Sequence, residues 1–78
     1  MIVLAFGIVK EIFGAPVLAI ELTEAATVGG LKNILEEKYP RLKQLASYMV
    51  AVNNEYAQPN QMIFVEDEIA IIPPVSGG

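Results

Sequence analysis

The chain has 78 residues, with five Lys and Arg against nine Asp and Glu, and it contains neither histidine nor cysteine. This length predicts one domain with one core, and an apolar content of 54% excludes intrinsic disorder. Without a thiolate or an imidazole, and with a net charge of −4, the chain is predicted to be neither a self-sufficient enzyme nor a nucleic-acid-binding protein.

The apolar segments are too short to span a membrane as helices. The longest, residues 2–9 and 69–75, fall well below the roughly 20 residues that a spanning helix needs. No basic segment precedes the first of them, so it does not resemble a signal peptide. We therefore expect a cytoplasmic protein that does not contact a membrane.

The first part of the chain predicts a β-hairpin. Residues 2–9 form a continuous apolar run, which is typical of a strand buried on both faces. Residues 10–14 interrupt it, with Gly14 as the expected turn residue. Pro16 then opens a second predicted strand over residues 17–22.

A single main helix is predicted next, from an N-cap at Thr27 to about Tyr39. Its sequence places Val28, Leu31, Ile34 and Leu35 on the core side with Lys38 at the edge, and Glu36 and Glu37 on the solvent side. Pro40 ends the helix, and residues 40–46 are expected to form one further helical turn.

The C-terminal half predicts two or three more strands. Residues 48–53 form one strand and Asn53-Asn54 its turn, followed by a short edge strand at 55–57. The acidic residues 66–68 are interpreted as a solvated turn, because they lack the further ligands of a cation site. Residues 69–72 form the last strand, which is apolar on both faces.

These elements predict an α+β chain with a β-grasp fold. Its mixed sheet would have four to five strands and one main helix on one face, with the first and last strands parallel at the centre. The β-grasp domain would cover residues 1–74, and residues 75–78 would form a flexible tail. One helix covers only one sheet face, so the other apolar face is predicted to bind a partner.

The chain ends in Pro73-Pro74-Val75-Ser76-Gly77-Gly78. A terminal glycine carboxylate can enter a channel too narrow for other residues. Fully extended, the last four residues would reach about 13–14 Å beyond the prolines. The alternative interpretation is an ordinary frayed terminus.

Several stretches resemble the small, sulfur-carrying subunits of molybdopterin synthases, which are ubiquitin-like proteins. They are Val3-Leu4-Ala5-Phe6, Val9-Lys10-Glu11, Thr27-Val28, Ala51-Val52-Asn53 and, above all, residues 67–78. The resemblance covers essentially the whole chain. A Pro-Pro-Val-Ser/Thr-Gly-Gly ending is its most specific element.

This resemblance implies a non-catalytic sulfur donor within a synthase complex. Gly78 would become an acyl-adenylate and then a thiocarboxylate, and Gly77 would supply clearance and backbone freedom. A ubiquitin-activating-like adenylyltransferase would use ATP for the first step, and a sulfur donor enzyme would serve the second. No cofactor would be stably bound. The large synthase subunit, in a heterotetramer of two small and two large subunits, would hold the cyclic pterin phosphate that becomes the molybdopterin dithiolene.

The resemblance also implies a set of partner-binding residues: Phe6, Tyr56, Ile72, Pro73, Pro74, Val75 and Ser76. From the residue pattern alone, Phe6 and Ile72 are equally compatible with the core, and Tyr56 with a half-exposed edge strand. Three other functions stay open: a sulfur carrier for thiamine or tRNA thiolation, a ubiquitin-like protein modifier, and a binding module with an inert tail.

Overall fold

The first and last strands form a parallel pair at the centre of a five-stranded sheet. In the computed structural model, β1 (Ile2–Ala5) lies beside β7 (Glu68–Ile72), with Val3 opposite Ile69. The strand order is β2-β1-β7-β4-β5, in which β2 is Val17–Ala19, β4 is Met49–Val52 and β5 is Glu55–Tyr56. Every other pairing in this sheet is antiparallel. The predicted β-grasp arrangement is confirmed.

The structure describes residues 1–21, 26–45 and 47–74. The predicted tail at 75–78 and the residues Leu22 and Ala46, which were assigned to predicted elements, lie outside these ranges. The domain boundary after residue 74 therefore stays a prediction. Within the described ranges, no helix is both long and apolar enough to cross a membrane.

The core lies on one side of the sheet, beneath α2 (Val28–Lys38). Sheet residues on this face are almost completely buried and form one cluster with the inner side of the helix: Val3, Ala5, Val50, Val52, Ile69, Ile71, Val28, Leu31 and Leu35. Burial of each large apolar side chain contributes about 1.5–3 kcal/mol to folding. The cluster explains why the helix packs on this face.

The prediction of one strand over residues 2–9 is wrong after Ala5. A short helix, α1 (Gly7–Phe13), begins there instead, and residues 10–14 are not a simple turn. Val9 and Phe13 are buried four residues apart, which is helical spacing. Gly14 has a left-handed backbone with φ 77°, so it ends α1 as a glycine C-cap.

The main helix was predicted well at both ends, but two of its side chains were assigned wrongly. Thr27 caps it, since its side-chain oxygen accepts from Gly30 N at 3.1 Å. Ile34 is 41% exposed rather than buried. Glu36 is partly buried, and its carboxylate accepts a hydrogen bond from the Tyr48 hydroxyl. The helical turn predicted after α2 is a 3₁₀ helix, Pro40–Gln44.

A second, two-stranded sheet was not predicted as such. It joins β3 (Ala26–Thr27) to β6 (Met62–Ile63) in antiparallel register. Strands of two residues are too short for an alternating pattern to show in the sequence. This sheet holds the start of α2 against the loop before β6, where Val28 N donates to the Gln61 carbonyl at 2.9 Å.

The predicted turn between β4 and β5 is confirmed. Asn53 and Asn54 both have positive φ, at 51° and 71°. Two successive left-handed residues match the right-handed twist of a two-residue hairpin, and asparagine tolerates this conformation. The turn directs β5 back along the sheet edge.

Candidate functional site

The sheet face opposite α2 is apolar and largely uncovered. Side chains alternate across a strand, and directly paired residues share a face. Leu4 pairs with Ala70, Ala70 with Ala51, and Ala51 with Tyr56. By the same register, this open face also carries Ile2, Val17, Met49 and Ile72.

A concavity of about 330 Å³ lies on the open face. It brings together the three residues assigned to the docking patch, because its lining includes Phe6, Tyr56 and Ile72. Phe6 is 47% exposed and Tyr56 69% exposed, while Ile72 is half-buried. These three side chains are therefore accessible rather than part of the closed core. Their contact with a partner stays a prediction.

Phe6 reaches this concavity because the chain leaves the sheet just after β1. Its backbone is extended, with φ −129° and ψ 153°, and it is the N-cap of α1. Its carbonyl accepts from Val9 N at 3.0 Å and from Lys10 N at 3.3 Å. The start of α1 thus fixes the backbone of Phe6 at the rim of the open face.

The polar end of the concavity carries Asn54 and the acidic residue Glu68. Neighbouring Asp67 closes a turn, accepting from Phe64 N at 2.8 Å and from Asn53 Nδ2 at 3.0 Å. The interpretation as a turn is confirmed for Glu66 and Asp67, whereas Glu68 is already the first residue of β7. Across the described part of the chain, no group of three or more potential metal ligands is found.

The C-terminal segment leaves the sheet from its central strand. Pro73 and Pro74 follow β7 directly and are both half-buried. A β-carbon on Gly7 would lie 3.2 Å from Cγ of Pro73, so the start of α1 and the exit of the C-terminal segment are in close contact. Val75, Ser76, Gly77 and Gly78 lie outside the described residues, and their assigned roles stay predictions.

A polar contact beneath α2 was missed by the sequence interpretation. The Tyr48 hydroxyl donates to Glu36 Oε2, and Lys32 Nζ lies 4.6 Å from the centroid of the Tyr48 ring. Burial raises the pKa of the Tyr48 hydroxyl well above its ordinary value, and the bond to the Glu36 carboxylate raises it further. The spacing of Lys32 and Glu36, one helical turn apart, was the available signal.

The chain is similar in sequence to known proteins. The ThiS family model matches residues 3–78. A molybdopterin synthase sulfur carrier subunit of Dictyostelium discoideum is 41% identical over 80 residues, covering 97% of this chain and 93% of that relative. Its Arabidopsis thaliana counterpart is 36% identical over 77 residues, covering 97% and 80%.

A solved structure, SAMP1 from Haloferax volcanii, superposes with a TM-score of 0.83 at 27% identity and covers 99% of this chain and 97% of that one. The shared fold extends over nearly all of both chains. Since the family model and the curated relatives also match almost the whole sequence, the chain belongs to the ThiS family of β-grasp proteins, beside the molybdopterin synthase sulfur carrier subunits.

Proposed function

We propose that this chain is a sulfur carrier that bears a thiocarboxylate on Gly78 and donates its sulfur to a cyclic pterin phosphate, forming the molybdopterin dithiolene. One observation carries the proposal: a segment ending in Gly77-Gly78 follows the central strand beside an open apolar face. The names of the two curated relatives support the same role.

The proposed chemistry begins with a carboxylate that must be activated, because its charge is delocalised and oxide is a poor leaving group. An oxygen of the Gly78 carboxylate attacks the α-phosphate of ATP and releases pyrophosphate. Hydrosulfide released by a donor enzyme then attacks the acyl carbon, and the bond from that carbon to AMP breaks, which leaves the thiocarboxylate and AMP. Its sulfur attacks an oxygen-bearing side-chain carbon of the pterin precursor, and the C–O bond breaks, so that the oxygen leaves as water or stays on the phosphate. Water then cleaves the resulting acyl–sulfur bond and restores the Gly78 carboxylate. Two transfers supply both dithiolene sulfurs.

The chain itself acts as a subunit and not as the catalyst. It contains no histidine or cysteine that would provide a general base or a thiolate. The adenylyltransferase and the large synthase subunit would provide these groups. This chain would supply the reactive terminus, the clearance at Gly77, and the surface that brings both to the partner.

The open face is the proposed docking surface for the large subunit. Phe6 and Tyr56 offer exposed aromatic area around a concavity, and aromatic side chains dominate the energetics of protein interfaces. Ile72 lies at the end of β7, directly before the prolines. A partner that covers this surface would therefore also meet the emerging C-terminal segment.

The test combines intact mass with reconstitution. The chain, co-expressed with an adenylyltransferase and its sulfur source, should gain the mass difference of one sulfur for one oxygen at Gly78. A Gly78 deletion should lose both this increment and product formation with the large subunit. A matched Glu37→Gln variant, changed on the exposed side of α2, should retain both. An unmodified wild-type terminus under these conditions would contradict the proposal.

The same reconstitution separates the other sulfur pathways. A carrier dedicated to thiamine or tRNA thiolation should acquire sulfur but neither bind the molybdopterin large subunit nor yield dithiolene product. Sulfur acquisition without product would therefore favour one of those pathways.

A protein modifier is the second candidate, favoured by the structural similarity to SAMP1, whose name denotes a small archaeal modifier protein. In that case Gly78 would form isopeptide bonds with lysines of other proteins. Denaturing purification of a tagged chain from its host, followed by peptide mass analysis, should then reveal Gly-Gly remnants on lysines. Under the sulfur-carrier proposal alone, such adducts should be missing.

A further inference from the structure

Pro73 lies close to Gly7, a residue that has no side chain. The parallel register aligns Ala5 with Ile71, and continuing it two residues brings Gly7 to the level of Pro73. A β-carbon on Gly7 would stand 3.2 Å from Cγ of Pro73, closer than ordinary van der Waals contact. The proline ring therefore occupies the space that a side chain at position 7 would need.

Gly7 also has an unusual backbone. Its φ is +54°, in the left-handed region, between the extended Phe6 and the first turn of α1. This conformation turns the chain out of β1 and into α1 within one residue. Glycine adopts it without the steric penalty that a β-carbon brings. Backbone conformation and space thus both select glycine at this point.

We propose that Gly7 is a positioning residue: its bare α-carbon seats the Pro73 ring and thereby sets the direction in which the C-terminal segment leaves the sheet. The proposal rests on the sulfur-carrier function given above and adds a residue outside the docking patch to it. Gly7 would act through Pro73 and would not touch the reacting atoms.

The contact with Gly7 affects the direction of the C-terminal segment because a second proline follows Pro73. Each ring fixes its own φ near −65°, so Pro73-Pro74 behaves as a stiff unit. A displacement at Pro73 therefore also moves Pro74 and changes the direction in which the chain continues from the sheet. A terminus that must enter a narrow site is sensitive to such an error, since misplacement by about 1 Å can cost about a hundredfold in rate.

The chain offers a matched pair of glycines for the test. Gly7 begins α1 and Gly14 caps its end, and both have positive φ, at 54° and 77°. A β-carbon on Gly14 would meet no heavy atom within 4 Å among the described residues, whereas one on Gly7 meets Pro73. Asparagine tolerates this backbone better than most residues. Gly7→Asn and Gly14→Asn therefore share the backbone change and differ in the contact with Pro73.

The first measurement reports the direction of the C-terminal segment and does not require sulfur transfer. Because the chain has no cysteine, Gln58→Cys on the exposed surface would carry a single spin label. Paramagnetic relaxation of the Gly77 and Gly78 amides should change in Gly7→Asn and stay at the unsubstituted level in Gly14→Asn. Adding Pro73→Ala, which removes Cγ and Cδ, should reduce the difference between the two glycine variants.

The second measurement uses the full chain with its adenylyltransferase. Gly7→Asn should lower kcat/KM for the chain by about tenfold or more, mainly through KM, because fewer encounters present the terminus correctly. Gly14→Asn should keep the unsubstituted values. Urea unfolding of all variants distinguishes this effect from a loss of folded protein.

Equal relaxation profiles and equal kinetics for the two glycine variants would overturn the proposal. Gly7 would then serve only to start α1. If the unsubstituted chain acquires no sulfur, the proposed function fails, but the relaxation comparison still decides whether Gly7 orients the segment.

Discussion

Asn53 and Asp67 form a hydrogen bond that connects the β4–β5 turn to the residue before the central strand β7. Asn53 Nδ2 donates to Asp67 Oδ1 at 3.0 Å, while Asn53 Oδ1 accepts from Glu68 N at 3.0 Å. The backbone continues this pairing, since Asn53 N donates to the Glu68 carbonyl at 2.8 Å. The Asn53 side chain thus stabilises the polar end of the concavity through hydrogen bonds to Asp67 and Glu68.

Replacing Asn53 with glycine should lower the free energy of unfolding by about 1 kcal/mol, because two exposed hydrogen bonds are lost while the positive φ is kept. Asn53→Ala should lower it further, since alanine disfavours that backbone. Urea unfolding measures both. If the glycine variant matches the unsubstituted chain, the side-chain bonds contribute nothing to stability.

Tyr48 should make the fold sensitive to alkaline pH. The pKa of the Tyr48 hydroxyl is raised in the folded chain. Its contribution to the free energy of unfolding is therefore complete below the unfolded-state pKa of about 10 and is lost as the pH rises toward the folded-state pKa. The free energy of unfolding should therefore fall as the pH rises above about 10. Tyr48→Phe should flatten this fall; an identical slope in both proteins would contradict the assignment to Tyr48.

The N-cap of α2 should depend on the hydroxyl of Thr27. Thr27→Ala removes the acceptor for Gly30 N and should cost about 0.5–2 kcal/mol of folding free energy. Thr27→Ser keeps that oxygen and should cost less. Thermal or urea unfolding of the two variants measures the difference, and equal losses would show that the methyl packing matters instead.

The open face should be needed for binding the large synthase subunit. Phe6→Lys or Ile72→Lys should weaken the complex by about thirtyfold or more, because each places a charge in an apolar interface. Ile34→Lys is the matched control, since Ile34 is exposed on the outer side of α2. Calorimetric titration measures the affinity, and circular dichroism confirms that the variants are folded. Equal weakening by the control would exclude a specific role for the open face.

The acidic end of the concavity should accelerate association with a basic partner surface. Glu68→Lys should lower the association rate constant at low salt, and the difference should shrink as added salt screens the charges. Glu37→Lys makes the same charge change on the outer side of α2 and should have a smaller effect. Stopped-flow or surface-based kinetics at several ionic strengths would test this, and a salt-independent effect would point to steric disruption.

The predictions from the sequence were correct where a residue pattern is compatible with only one structure. The doubly apolar first and last strands required the centre of a sheet, and Thr27 with Pro40 bounded the main helix. The predictions failed over residues 6–13, where the apolar run fits a strand as well as a helix. The left-handed backbone of Gly7 decides between them, and the residue that it lies against, Pro73, is distant in sequence.

By itself, then, the sequence determined the β-grasp topology and the uncovered apolar face, because these follow from the order, the periodicity and the residue types of the predicted elements. The tertiary structure alone decided which apolar side chains stay accessible, that Phe6, Tyr56 and Ile72 share one concavity, and that Gly7 lies close to Pro73. The reason is physical: strand register and the early end of β1 place residues far apart in the chain within contact distance.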